Sequence, residues 1–377
     1  MKKIDSLTSL RFFAAACIVL GHGGSRFHYK VELFDLRHGV TFFFVLSGFI
    51  LSYNYSGIKL LTGLRDFFAA RVARVFPACI VTTVLAAILF SPITNAEDML
   101  KLAVNILLLQ AWVPISSWHY AYNGVTWSVS AEMFFYIVFP AVLSFAKTIK
   151  SLVVFVIVPA AVMLSLASFL NLSTKEGGPD VTTWGLIYVN PLTRVSEFIC
   201  GILAYRLSEN LAQISIVWSY KKATVIELGG LILAFLAMIV GTYIGKHTLN
   251  ETAPQLSVWV QVISPFPFIA LFIAIMRQEK GGVSRALSWT ALVYLGEISF
   301  SLYLTHQIVV RWMFLHYEAK IHEYPVLGYI SYWLISLLLA TILFHLVEKP
   351  LRAPLRKLMR GKCRQDMTQH ITISPTP

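Results

Sequence analysis

Ten stretches of 17 to 24 predominantly apolar residues dominate this 377-residue chain, at 7–24, 40–56, 74–91, 127–146, 151–171, 191–207, 223–245, 256–276, 290–313 and 325–347. A helix needs about 20 such residues to cross the roughly 30 Å hydrocarbon core of a bilayer. Lipid offers no hydrogen-bond partner to backbone N–H and C=O groups, so each stretch has to satisfy its own by coiling. Apolar residues make up 57% of the chain and charged residues 13%, about half the charged share of an ordinary soluble domain. The expected fold is an all-α polytopic membrane protein. Disordered and disulfide-scaffold classes are excluded by the same numbers.

Charge placement decides an eleventh candidate. Residues 100–113 form an apolar run of only 14 residues, followed by Pro114 and the polar patch Ser116-Ser117-Trp118-His119. With that run left out of the count, 21 Lys and Arg lie in segments on the same side as the N-terminus and seven on the other. Basic residues concentrate in cytoplasmic segments. The arrangement expected is therefore about ten transmembrane helices, both termini cytoplasmic, with 100–113 as a re-entrant or interfacial helix. A crossing there would flip every later loop and turn the basic tail outward. The chain divides into a transmembrane domain, 1–351, and a basic cytoplasmic tail, 352–377. Lys2 and Lys3 ahead of an apolar run resemble a signal peptide, but Arg11 interrupts the run, which favours a retained first helix. The net charge of +12 sits mostly between spans, so no nucleic-acid partner is expected. Cys17, Cys79, Cys200 and Cys363 are too far apart for a ligand pattern, and no metal is expected.

Polar side chains inside the spans are the functional candidates, because each costs several kcal/mol unless paired. Arg11 and His22 are eleven residues apart, about 20° from three full turns, so they share one helical face about 16 Å apart. Ser47-Gly48 reads as a close-packing pair. Arg71 and Arg74, in what reads as an inner loop after the second span, share a face at i, i+3 and suit either a topological anchor or a phosphate clamp. Ser128 and Glu132 share a face at i, i+4, next to Trp127. Arg194 and Glu197 are spaced to pair with each other. The span 290–313 carries Ser301, Tyr303 and His306. With this orientation His22, Trp127, Ser128, Glu132, Arg194, Glu197 and His306 fall in the outer half, and the Arg71/Arg74 pair falls inside.

Taken in order, these elements resemble the membrane acyltransferase-3 family, bacterial integral-membrane enzymes that O-acylate cell-envelope glycans. The resemblance is carried by Ser9-Leu10-Arg11 with His22, by Phe43 through Phe49, and by Arg71-Val72-Ala73-Arg74-Val75-Phe76-Pro77. It continues in Thr126 through Glu132 with Tyr136 and Pro140, in Arg194 with Glu197-Phe198 and Gly201, in Ser299 through His306, and in Val347-Glu348-Lys349-Pro350. Met133 stands where a glutamate or another polar residue is frequent in the family, and Thr41 fills the region where an aspartate is frequent.

The resemblance implies transfer of an acyl group, usually acetyl, from cytoplasmic acyl-CoA to a hydroxyl of a glycan or lipid-linked sugar, in the bacterial cytoplasmic membrane. Acyl-CoA is then a co-substrate, and no resident cofactor is implied. A sugar hydroxyl needs a base with a pKa near 7, which histidine supplies. His22, Arg11 and Glu132 are the catalytic candidates, with Glu132 a candidate to hold the histidine tautomer. Arg71 and Arg74 are the donor-binding candidates. Trp127, Ser128, Arg194, Glu197, Ser301, Tyr303 and His306 are acceptor-site or supporting candidates. An acyl-histidine intermediate is an equally open route. The competing function is a transporter or flippase for a polar or lipid-linked sugar, since intramembrane charges also line transport paths.

Overall fold

The computed structural model describes residues 3–27, 29, 31–55, 60–213 and 219–360. Every apolar stretch is helical. The first three lie in α1 (Asp5–Phe27), α2 (His38–Tyr55) and α3 (Leu60–Phe90). Two short helices follow, α4 (Ala96–Ile106) and α5 (Ser116–His119). Next come α6 (Trp127–Phe145), α7 (Ile149–Phe169), α8 (Pro191–Gln213) and α9 (Tyr220–Tyr243). After them lie α10 (Pro254–Val262), α11 (Phe266–Met276) and the short α12 (Gly282–Leu287). The chain closes with α13 (Thr290–Glu323), α14 (Pro325–Leu343) and α15 (Lys349–Arg360). Among the described residues there is no strand, only an isolated bridge between Ile115 and Val181.

Helix ends follow local chemistry. Thr148 and Ser151 form a reciprocal capping box ahead of α7, and Ser219 caps α9, each satisfying an N–H that the first turn leaves orphaned. Pro254 and Pro325 start α10 and α14, where a missing N–H costs nothing.

Eight helical stretches are long and apolar enough to cross a membrane. α2 and α13, both predicted spans, are long enough but more polar. They face inward and carry side chains that line the interior.

The run 100–113 is not a span. Its α-helix, Ala96–Ile106, is about 16 Å long at 1.5 Å per residue, half the hydrocarbon thickness, and only a 3₁₀ turn at Gln110–Trp112 follows. Helix directions agree. Thr8 meets Gly296 at one end of α1, and Phe27 meets Phe314 near the other, so α1 and α13 run parallel. α2 and α8 are also parallel, with Thr41 beside Arg194 and Tyr53 beside Tyr205. Both pairs straddle 100–113, and one further crossing there would make each antiparallel.

Three predicted boundaries change. Arg71 and Arg74 do not sit in a loop; α3 starts at Leu60, because Phe67, Ala69, Ala73 and Val75 are buried and pull this segment into the bundle. The single span predicted at 256–276 is broken at 263–265, where Pro265 cannot donate and its ring cannot follow a helical turn. The span predicted at 290–313 continues to Glu323. The boundary drawn at residue 352 falls within α15, which packs on α3; tail residues 361–377, including Cys363, lie outside the described residues.

α2 and α8 pack with their backbones in contact. A Cβ on Gly48 would lie 1.9 Å from the Phe198 carbonyl oxygen, and one on Gly201 would lie 2.0 Å from that of Val45. These glycines let two backbones touch, which clamps the wall between the two cavities described next.

Candidate active site

Among the described residues, two cavities with charged side chains in their walls lie toward the two ends of α1's polar stripe. The arginine chamber is lined by Arg11, Arg71, Arg74, Ser47, Glu132 and Tyr136. Glu132 is doubly held: Ser47 Oγ donates to its Oε1 at 2.8 Å and Tyr136 OH to the same oxygen at 2.6 Å. Arg71 is buried although charged, its guanidinium 5.5 and 5.9 Å from the ring centres of Tyr55 and Tyr136. Such π-faces stabilise a cation away from water. Arg11 lies in the field of Arg74 and Arg352 and of Glu348 and Glu132. Glu348 is buried, accepts from Ser301 Oγ at 2.6 Å, and pairs with Arg352. Arg11, Arg71, Arg74 and Arg352 outnumber the two carboxylates, so this end of the site is built for an anion.

The histidine chamber is lined by His22, Asp35, Arg37, Trp127, Tyr188 and Gln307, among others. His22 Nδ1 lies 2.9 Å from His306 Nε2, with the two rings within 7° of coplanar. His306 Nδ1 lies 3.2 Å from the Leu302 carbonyl oxygen. A carbonyl only accepts, so His306 Nδ1 carries a proton. Neutral His306 then accepts at Nε2, so His22 donates from Nδ1. The lone pair of His22 is thereby placed on Nε2. One backbone carbonyl sets the tautomer of two histidines.

A short loop supplies the far wall. Arg37 grips Asp35 through both carboxylate oxygens at 2.9 and 2.7 Å, and Gln261 Nε2 donates to Asp35 at 2.9 Å. Burial opposes ionisation of Asp35, yet the Arg37 guanidinium outweighs it and holds the carboxyl well below the usual range. Burial likewise opposes charge on Arg37, and Asp35 overrides it, so the guanidinium is held above its ordinary value. The same guanidinium stacks 4.2 Å from the Trp184 ring centre.

The predicted residues divide between these environments. His22 and Trp127 line the histidine chamber, with His306 buried behind His22. Tyr303 lines both chambers. Ser128 and Glu132, expected in the outer half, instead line the arginine chamber with Arg71 and Arg74. Glu132 lies five residues into α6 from Trp127, about 7.5 Å deeper, which carries it past the partition. Glu132 therefore does not hold the His22 tautomer; His306 occupies that position. Ser301, expected beside the acceptor, bonds Glu348 near Arg11. Arg194 and Glu197 do pair, at 2.7 Å and fully buried, but line neither chamber. The Arg194 guanidinium lies 5.0 Å from the rings of Phe44 and Tyr188, bracing the wall that separates the cavities.

Sequence reasoning missed Asp35, Arg37 and Tyr188, and read Ser47 only as a packing residue. The Asp-x-Arg spacing in a short loop between two spans was a usable signal. Glu348 stood in a quoted motif without a role.

Comparison with known proteins adds a family. The family described as an acyltransferase domain matches residues 4–347. Acyltransferase MdmB of Streptomyces mycarofaciens is 25% identical over 336 residues, covering 82% of this chain and 80% of that protein. Putative peptidoglycan O-acetyltransferase YrhL of Bacillus subtilis is 24% identical over 396 residues, 93% of this chain and 55% of the relative. O-acetyltransferase OatA of Staphylococcus aureus is 24% identical over 379 residues, 93% of this chain and 57% of the relative. The chain thus spans just over half the length of these last two. No solved structure matches it significantly.

Proposed function

This chain belongs to the acyltransferase-domain family over residues 4–347, and on that premise we propose that it moves acetyl from cytoplasmic acetyl-CoA to a hydroxyl of a cell-envelope or lipid-linked glycan. The arginine chamber takes the donor. Coenzyme A carries phosphates that cannot enter hydrocarbon, and guanidinium forks match phosphate oxygens. The histidine chamber takes the acceptor, its Trp127 and Tyr188 rings offering flat faces and its Asp35–Arg37 pair a polar rim. The excess of basic residues on the N-terminal side supports a cytoplasmic arginine chamber, in the cytoplasmic membrane of a bacterium. The names of two relatives, both O-acetyltransferases, support acetyl as the group moved.

The single observation that carries the reading is the hydrogen-bond chain Leu302 to His306 to His22. It supports Nε2 as the basic nitrogen of His22, a residue that lines the cavity suited to the acceptor. The sugar oxygen attacks the thioester carbon as its proton passes to Nε2, forming a C–O bond. The C–S bond then breaks, and the departing thiolate recovers the proton to leave as free coenzyme A. Imidazolium formed on the way keeps its hydrogen bond to His306, because Nδ1–H still donates there.

The test uses purified protein in liposomes, radiolabelled acetyl-CoA and cell-envelope glycan. Label is expected in the glycan, released by mild base as an ester is. Absence of label with every envelope glycan tried, in protein shown to bind acetyl-CoA, overturns the reading.

A further inference from the structure

Among the described residues, the two chambers share only two of the side chains that line them, Val40 and Tyr303. We propose that these two residues form the aperture through which the acyl group meets the acceptor, and that its width selects the length of the acyl chain. The proposal rests on the O-acyltransferase reading above. A thioester held by arginines on one side has to present its carbonyl carbon to a hydroxyl beside His22 on the other. The acyl group therefore occupies the space between Val40 and Tyr303 when the new bond forms.

An aperture measures size only if its edges do not yield, and both edges here are pinned. Tyr303 OH lies 2.7 Å from Ser128 Oγ and 2.9 Å from the Val125 carbonyl oxygen, and Ser128 Oγ lies 3.0 Å from that same carbonyl. The ring is thus tied to the first turns of α6 at its far end, and Phe43 lies against it. Opposite, Val40 sits in the first turn of α2, held on either side. His38 Nε2 donates to the Gln261 carbonyl at 2.9 Å and Thr41 Oγ1 to that of Val262 at 3.0 Å. Behind it, a Cβ on Gly39 would lie 2.4 Å from the Ala14 carbonyl oxygen, so α2 is already in backbone contact with α1. Neither edge can retreat without breaking several contacts. The isopropyl group of Val40 and the Tyr303 ring consequently set the gap, and a methylene more or less in such a gap changes discrimination by about 10–200-fold.

The experiment measures transfer from acetyl-, propionyl- and butyryl-CoA in liposomes for the parent, Val40→Ala, Val40→Thr and Val40→Leu. Val40→Ala is expected to raise the butyryl-to-acetyl rate ratio at least about tenfold. Val40→Thr, equal in volume, should leave the ratio within about twofold of parental, well under that threshold. Val40→Leu should slow acetyl transfer while acetyl-CoA binding, measured separately by titration, stays parental. Equal ratios in parent and Val40→Ala overturn the aperture alone, as does a ratio that shifts as much in Val40→Thr. A parent that binds acetyl-CoA but acylates no glycan overturns the O-acyltransferase reading, and the aperture with it.

Discussion

The two chambers sit in one bundle but are made in different ways. The arginine chamber gathers charge from α1, α3, α6 and the α14–α15 junction, and its character is the sum of several guanidiniums and two carboxylates. No single distance defines it. The histidine chamber depends on one line of atoms, Leu302 O to His306 to His22, in which each contact decides what the next atom can do. Summed electrostatics degrades gradually when one member is lost, whereas a tautomer relay fails when its acting member goes. A donor site that holds a flexible phosphorylated carrier tolerates the first design; a base that must face one hydroxyl requires the second.

The sharpest way to break this contrast is His22→Asn. An amide cannot take a proton, so transfer should fall by about 10²–10⁴, the span of general-base help, with membrane insertion and acetyl-CoA binding unchanged. More than about a tenth of parental rate at matched protein level, well outside that range, removes His22 as the base. Next in size are Arg71→Ala and Arg74→Ala. A hydrogen bond to a charged group contributes about 1.5–3 kcal/mol, so each change should raise the donor KM at least about tenfold. The pair together should raise it further, with maximal rate much less affected. A double variant with parental KM makes the pair a topological anchor.

His306→Gln separates the relay from its acting member. The Gln oxygen can still accept from His22 Nδ1–H, so the rate should fall by less than about tenfold, the worth of a weakened neutral hydrogen bond. His306→Leu, which leaves that N–H without an acceptor, should fall further. Equal activity in both variants argues against a tautomer role. The smallest effect is expected at the loop. Asp35→Asn removes the charged fork to Arg37 and should lower the thermal midpoint by a few degrees near pH 7. The sign follows from linkage: Asp35 has a depressed native pKa, so its contribution is fully present above the unfolded value of about 3.9 and is lost as pH falls below it. The difference between parent and variant should therefore shrink with acidification below about pH 4.

Much of the architecture was legible before any coordinates. The apolar runs located the spans, and the basic-residue asymmetry already excluded a crossing at 100–113. Helical spacing correctly put Arg194 and Glu197 within reach of each other, because i, i+3 geometry is local. Boundaries were less readable. Pro265 breaks a run that is apolar on average, and hydropathy does not register a missing N–H. α3 begins well before its apolar run because buried Phe67 and Ala69 make its first half part of the bundle. In the site, the residue types were legible and their groupings were not. Glu132 looked like a partner for His22 because both were counted from the same membrane face, yet counting along separate helices says nothing about which faces turn together.

What the sequence by itself determined is the list of helices, their order, and the polar groups each carries, since burial of apolar length and backbone self-satisfaction act within one segment. What only the tertiary structure decided is who meets whom. His22 and His306 are 284 residues apart, and they touch because α1 and α13 pack in parallel at a particular rotation. The same packing brings Val40 and Tyr303 into the lining of both chambers. Helix rotation is chosen by contacts summed over whole interfaces, such as the backbone approach at Gly48 and Gly201, and no local pattern in the chain encodes that sum.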